Sequence, residues 1–178
     1  MNKKTLALFV AVVLAAGGAM LEPRTAQPAV EGEKGPVILQ SFASKELRPG
    51  DVWKIYLKAS DPEGLMKYIF ATVSQPGTNA YPISIIRIKG ENQKELSGYI
   101  YLNTAPAAQA SFFNLTLTLT LSVSIKGSGG FSEPAVFPLA FEAKTAKETP
   151  PDGVFKEQNL GPISVTLQTS SGGAAQPN

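Results

Sequence analysis

The sequence predicts an all-β protein, an antiparallel β-sandwich with Greek-key connections and about seven to eight strands. From Pro36 onward apolar and polar residues alternate with a period of two, and no segment carries a helical apolar stripe. Turn signals rich in proline, glycine and aspartate recur at short spacing between the alternating runs. Short strands separated by regular turns are typical of sandwiches with two packed antiparallel sheets.

Seven strands are predicted before the C-terminal region, and each is bounded by turn residues. Val52–Ser60 is the clearest, because Trp53 and Ile55 share one face with Leu57 while Lys54 and Tyr56 share the other. Trp53 is therefore predicted to be a core anchor. The seven predicted strands are 36–42, 52–60, 66–73, 81–89, 96–103, 112–126 and 135–142.

The stretch 112–126, FFNLTLTLTLSVSIK, is the longest alternating run. Its aliphatic row is predicted to face the core and its threonine and serine row to form the outer face of a half-solvated sheet. An ice-binding surface built from Thr116, Thr118 and Thr120 is an alternative, but one strand supplies only one row of such an array. The aliphatic row comprises Leu115, Leu117, Leu119, Leu121, Val123 and Ile125.

The N-terminus predicts export. Lys3 and Lys4 precede an uncharged apolar run that ends in small residues, so 1–19 is predicted to be a signal peptide cleaved after Ala19. An uncleaved membrane anchor is the alternative. The chain has no cysteine, which fits a bacterial envelope protein better than a small disulfide-stapled secreted domain. The expected location is the periplasm, the cell surface or the medium.

Charge argues against nucleic acid as a partner. The chain has 16 basic and 14 acidic residues, and cleavage would remove two lysines and no acid. The mature chain would then be neutral, without the basic excess that nucleic acid or anionic lipid attracts.

The remaining chain is divided by composition into a spacer, one domain and a tail. Residues 20–35 are predicted to be a flexible spacer, and 36–142 the sandwich. Residues 143–178 are predicted to be a proline-rich tail with one added strand at 163–168 and a disordered end. That strand could pair with its own sheet edge or with a neighbour's, so both a monomer and a strand-swapped oligomer are expected forms.

The segments 51–73 and 117–141 resemble bacterial immunoglobulin-like and fibronectin type III-like domains. The similar features are an Asp-Pro-x-Gly turn after a strand, at Asp61–Gly64, and a long penultimate strand. The resemblance covers roughly 36–142 and implies an immunoglobulin-like sandwich. Some cadherin-like relatives bind Ca²⁺ at such turns, which makes Asp61 and Glu63 a weak calcium candidate, whereas Lys126 stands where another acid would help.

Catalysis is not expected. The chain has neither histidine nor cysteine, which removes the commonest general base, the thiolate nucleophile and the usual ligands of zinc. The acidic residues fall mostly in turns, where solvated charge is the ordinary role. No cofactor is predicted.

Two functions remain as hypotheses. The first is a non-catalytic module for protein–protein interaction or envelope structure, with another envelope or secreted protein as partner. The second is a carbohydrate-binding module in which Tyr99 and Tyr101, two residues apart on one strand face, stack against a polysaccharide. Packing between neighbouring strands is the alternative role for these two rings.

Overall fold

The computed structural model describes residues 35–76, 81–104, 118–142, 145 and 148–167. Ten strands and one short 3-10 helix, Gly90–Asn92, lie within these residues. In the same residues no helix has the length and hydropathy needed to cross a membrane. The strands are β1 (Val37–Ala43), β2 (Glu46–Leu47), β3 (Val52–Ser60), β4 (Tyr68–Ser74), β5 (Ser84–Arg87), β6 (Glu95–Asn103), β7 (Thr118–Gly127), β8 (Gly130–Phe131), β9 (Ala135–Phe141) and β10 (Asn159–Pro162).

The strands form two sheets, which confirms the predicted all-β sandwich. The smaller sheet has the order β1-β3-β6-β10, and the larger has the order β2-β9-β7-β4-β5 with β8 paired to β7. The paired strands are antiparallel except at two sheet edges, where β2 pairs with β9 and β10 pairs with β6 in parallel. Because β3 and β4 lie in different sheets, as do β6 and β7, the chain crosses the sandwich repeatedly.

The core lies between the sheets and follows the period-two pattern. Trp53 is fully buried, and its indole N–H donates to the backbone carbonyl of Ser44 at 2.9 Å. In β7 the aliphatic residues Leu119, Leu121, Val123 and Ile125 are buried, whereas Thr118 and Thr120 are exposed. The predicted division of this strand between core and outer face is confirmed from Thr118 onward, and 112–117 lie outside the described residues.

Two of the predicted turns have the expected geometry. At 48–51 the backbone N–H of Asp51 donates to the carbonyl of Arg48, and Gly50 takes a φ of 98° that favours glycine. At the turn after β3 the N–H of Gly64 donates to the carbonyl of Asp61, with φ of 69° at Gly64. Both turns connect β-strands in the way that the proline and glycine spacing predicts.

The last strand is not at the predicted position 163–168. β10 is Asn159–Pro162, four residues earlier, and 163–167 lies outside any strand. Ile163 and Leu167 are nevertheless buried, at 3% exposure each. Val165 between them is half-buried and packs against the same core, so the inward alternation predicted for this stretch is present. The strand itself is misplaced because these residues enter the core without ladder pairing.

Candidate binding surfaces

The outer face of the smaller sheet carries a row of aromatic rings. Phe42, Tyr56 and Tyr99 are directly opposite one another on β1, β3 and β6. The ring centroids of Phe42 and Tyr56 are 6.4 Å apart, and those of Tyr56 and Tyr99 are 5.6 Å apart. These tilted contacts at normal aromatic spacing stabilise neighbouring strands.

A segment from the C-terminal region, residues 148–158, lies across this row, and we call it the strap. The ring of Phe155 lies 5.6 Å from that of Tyr56. Glu157 accepts hydrogen bonds from the Tyr56 hydroxyl at 2.6 Å and from Lys54 Nζ at 2.9 Å. As a result Tyr56 is only 5% exposed, although its side chain points away from the core.

The strap contacts change the acid–base properties of the residues beneath it. The hydrogen bond to Glu157 raises the pKa of Lys54, against a smaller lowering by burial. Burial is the largest cause that raises the pKa of Tyr56, and the hydrogen bond to Glu157 raises this pKa further. The protonated forms of both side chains are therefore the ones that the folded protein stabilises.

Tyr99 and Tyr101, the predicted stacking pair, lie on this same outer face and are both half-buried. Lys54 Nζ is 4.1 Å from the centroid of Tyr99, a cation–π contact that occupies one face of the ring. A sugar stacking on that face would have to displace Lys54. Carbohydrate binding by these tyrosines stays a prediction, and the face is less open than the sequence implied.

Two clefts flank the strap. One, of about 380 Å³, lies between the start of the strap and the sheet and is lined by Phe42, Tyr56 and Glu148 among others. The other, of about 470 Å³, is lined by Leu39, Lys58 and Phe155 among others. Between these clefts the strap contacts the sheet through side chains and through hydrogen bonds of its backbone at Glu148 and Lys156.

The outer face of the larger sheet carries a second group of large apolar side chains, Tyr68, Phe70, Ile85 and Phe131, which we call the exposed patch. Ile85 is 59% exposed, Phe131 55% and Tyr68 37%. The Phe70 and Phe131 rings meet edge to face at 5.2 Å, and those of Tyr68 and Phe70 at 6.4 Å. Contiguous apolar side chains at such exposure mark interaction surfaces on soluble proteins.

Basic side chains border the exposed patch. Tyr68 is opposite Arg87 on β5 and opposite Lys126 on β7, so it lies between two cations in one row. Lys126 Nζ is 5.3 Å from the centroid of Phe131. An aromatic centre with a charged rim is the usual composition of a protein–protein contact.

The calcium candidates lie together on one turn, but their geometry is that of an Asx turn. Asp61 is 2% exposed, and its Oδ1 accepts a hydrogen bond at 3.0 Å from the backbone N–H of Glu63. Across the described part of the chain, no three carboxylates cluster in a way that could hold a metal ion. Ca²⁺ takes six to eight oxygen ligands, which this turn does not supply.

Sequence reasoning missed Phe155, Glu157, Phe70 and Phe131. Phe155 is a lone aromatic residue in a proline-rich tail, which was a usable signal that the tail docks on the protein. Phe70 belongs to the predicted strand 66–73, where apolar residues occur on both faces, and no local pattern says which face stays open. Comparison of the chain with protein-family models and with curated proteins gives no match.

Proposed function

We propose that this chain is an exported, non-catalytic immunoglobulin-like module that binds another protein of the cell envelope through the exposed patch. The observation that carries the proposal is the cluster of Tyr68, Phe70, Ile85 and Phe131 on the outer face of the larger sheet. Burying these side chains against a partner would release apolar surface from water, and aromatic residues dominate binding energy at such contacts.

The strand order supports the immunoglobulin-like assignment. β3 and β6 are neighbours in one sheet, while β9, β7 and β4 are neighbours in the other. This division of the strands between two packed sheets is the arrangement found in immunoglobulin domains. The neutral charge of the mature chain agrees with a protein partner rather than a nucleic acid.

The rim of the exposed patch specifies the chemistry of the partner. Arg87 and Lys126 flank Tyr68 on both sides. The complementary surface would be an apolar pocket bordered by carboxylates, because like charges across a contact are strongly unfavourable. High salt should then slow association more than it speeds dissociation, since rim charges act mainly on the encounter rate.

Site-specific photocrosslinking in the source cells tests this function. A photoreactive amino acid at position 131 or 85 should yield the same protein adduct, whereas one at position 39 should not. Leu39 is a matched control, because it is 54% exposed but lies on the other sheet. The Tyr68→Ser variant should reduce the adduct without changing the melting temperature. Identical adducts at positions 131, 85 and 39 would refute the proposal.

A further inference from the structure

Residues 159–167, which we call the closing segment, join the open edges of the two sheets. The strap residue Gln158 accepts a hydrogen bond from the N–H of Tyr99, and the N–H of Ile163 donates to the carbonyl of Tyr101 at 2.7 Å. On the other side the N–H of Ser164 donates to Ser84 Oγ at 2.8 Å. The closing segment thus fills a groove between β6 in one sheet and β5 in the other.

The groove fits the chain's own sequence closely. A Cβ on Gly98 would lie 2.5 Å from the carbonyl oxygen of Gln158 and 3.0 Å from Cγ of Leu160. Gly161 has a φ of 144°, and a Cβ there would lie 2.9 Å from Ile86 Cγ2. Both glycines are needed for this approach, so the groove has the shape of a docking site for this one segment.

The groove has to be filled. Ile163 and Leu167 are 3% exposed, and Leu96 on the groove wall is 1% exposed. Withdrawing the closing segment would expose these side chains, at a cost of about 1.5–3 kcal/mol for each large one. The accessible states of the molecule are therefore those with a strand in the groove, whichever chain supplies it.

The chain that leads to the closing segment contains an exposed turn at 151–153, where Gly153 has a φ of 72°. β10 pairs in parallel over four residues with a shifted register, and in the described residues no strand lies between Phe141 and Asn159. At this turn the chain can cross from one copy to another, while strap residues 154–158 keep their contacts with Tyr56, Ser97 and Tyr99 in the copy that they enter.

We propose that the closing segment, together with strap residues 154–158, exchanges between two copies of this chain, each filling the groove of the other. The occupant is a second copy because the groove matches Leu160, Gly161 and Ile163 of this sequence. Exchange repeats every groove contact and changes only the connector, so its free energy is small and reciprocal exchange closes a two-fold dimer. The tethered segment has an effective concentration in the millimolar range, so the monomer predominates in dilute solution. Refolding at high protein concentration therefore favours the exchanged dimer.

Cysteine trapping in trans tests the exchange. The sequence contains no cysteine, so introduced thiols have no native competitor. The backbone N–H of Lys156 donates to Ser97 Oγ at 3.1 Å, which places these positions side by side. One full-length copy carries Ser97→Cys and a differently tagged copy carries Lys156→Cys, and the two are refolded together at high concentration and oxidised. Neither copy can form the disulfide by itself.

A covalent heterodimer should form in several-fold higher yield than with a control pair of Ser128→Cys and Lys156→Cys, because Ser128 lies in an exposed loop of the other sheet. Equal yields from the two pairs would overturn the proposal. Deleting 150–153 from both copies should raise the dimer fraction by shortening the connector, and a stable monomer after this deletion would also overturn it. The Phe131→Ser variant should give the wild-type heterodimer yield, so this result is separable from the binding function proposed above.

Discussion

Gly98 shows how the absence of a side chain allows a distant segment to pack closely against a strand. It lies in the middle of β6, where glycine normally weakens a strand because it packs nothing. Here the missing Cβ makes room for Gln158 and Leu160. The partners of Gly98 are known only from the tertiary structure.

Replacing Gly98 with alanine should destabilise the protein by about 1–3 kcal/mol, since the new Cβ overlaps backbone that cannot move far. Urea unfolding measures the change, and limited proteolysis should cut the strap faster than in wild type. Gly90→Ala is the matched control, because no atom lies within 4 Å of a Cβ there. Equal unfolding midpoints for the two variants would contradict the prediction.

Tyr56 and Glu157 provide a second prediction at this scale. The Tyr56→Phe change removes a 2.6 Å hydrogen bond to a carboxylate and should cost about 1.5 kcal/mol at pH 7. The pKa of Tyr56 is raised above its ordinary value of 10.0, so the folded state favours the protonated hydroxyl. That contribution is complete below pH 10 and is lost as the pH rises through the raised value.

The difference in unfolding free energy between wild type and Tyr56→Phe should therefore shrink above pH 10. Urea unfolding at pH 7, 9 and 11 measures it. A difference that stays constant to pH 11 would contradict the assignment of the hydrogen bond to the folded state.

At the scale of the element, β7 shows what alternation alone determines. Its inward positions Leu121 and Val123 are fully buried, and Thr120 is exposed. A strand places successive side chains on opposite faces, and the sheet it joins can bury only one of them here. The face assignment was therefore predictable from the sequence.

Leu121→Ala should lower the unfolding free energy by about 2–5 kcal/mol, because a cavity remains where the side chain packed. The neighbouring Thr120→Ala change should stay within about 0.5 kcal/mol, as surface substitutions do. Urea unfolding of both variants tests the pair. A larger loss for Thr120→Ala would mean that the hydroxyl row is packed against something.

At the scale of the whole molecule, the C-terminal region is part of the fold and not an appendage. Ile163 and Leu167 belong to the same core as Trp53 and Leu121. Deleting 159–178 should lower the unfolding free energy by about 3–6 kcal/mol, from two buried aliphatic side chains at roughly 1.5–3 kcal/mol each. Deleting only 169–178 should leave it unchanged, because the sequence predicts no ordered structure there. Similar melting curves for the two deletions would refute the role of the closing segment.

The sequence by itself determined the fold class, the core rows and the turns at 48–51 and 61–64. These depend on neighbours within a few residues, through the two-residue period of a strand and the dihedral preferences of proline and glycine. That is why Val52–Ser60 is predicted with its exact bounds.

The tertiary structure decided which outer faces are covered. Tyr56 and Ile85 both occupy outward positions of a strand, yet Tyr56 is 5% exposed and Ile85 59%. Tyr56 is covered by the strap, whose residue Glu157 is 101 positions away in the sequence. No local pattern records such a contact, because it depends on how the whole chain packs. The candidate surfaces therefore became visible only when the strap and the two sheets were seen together.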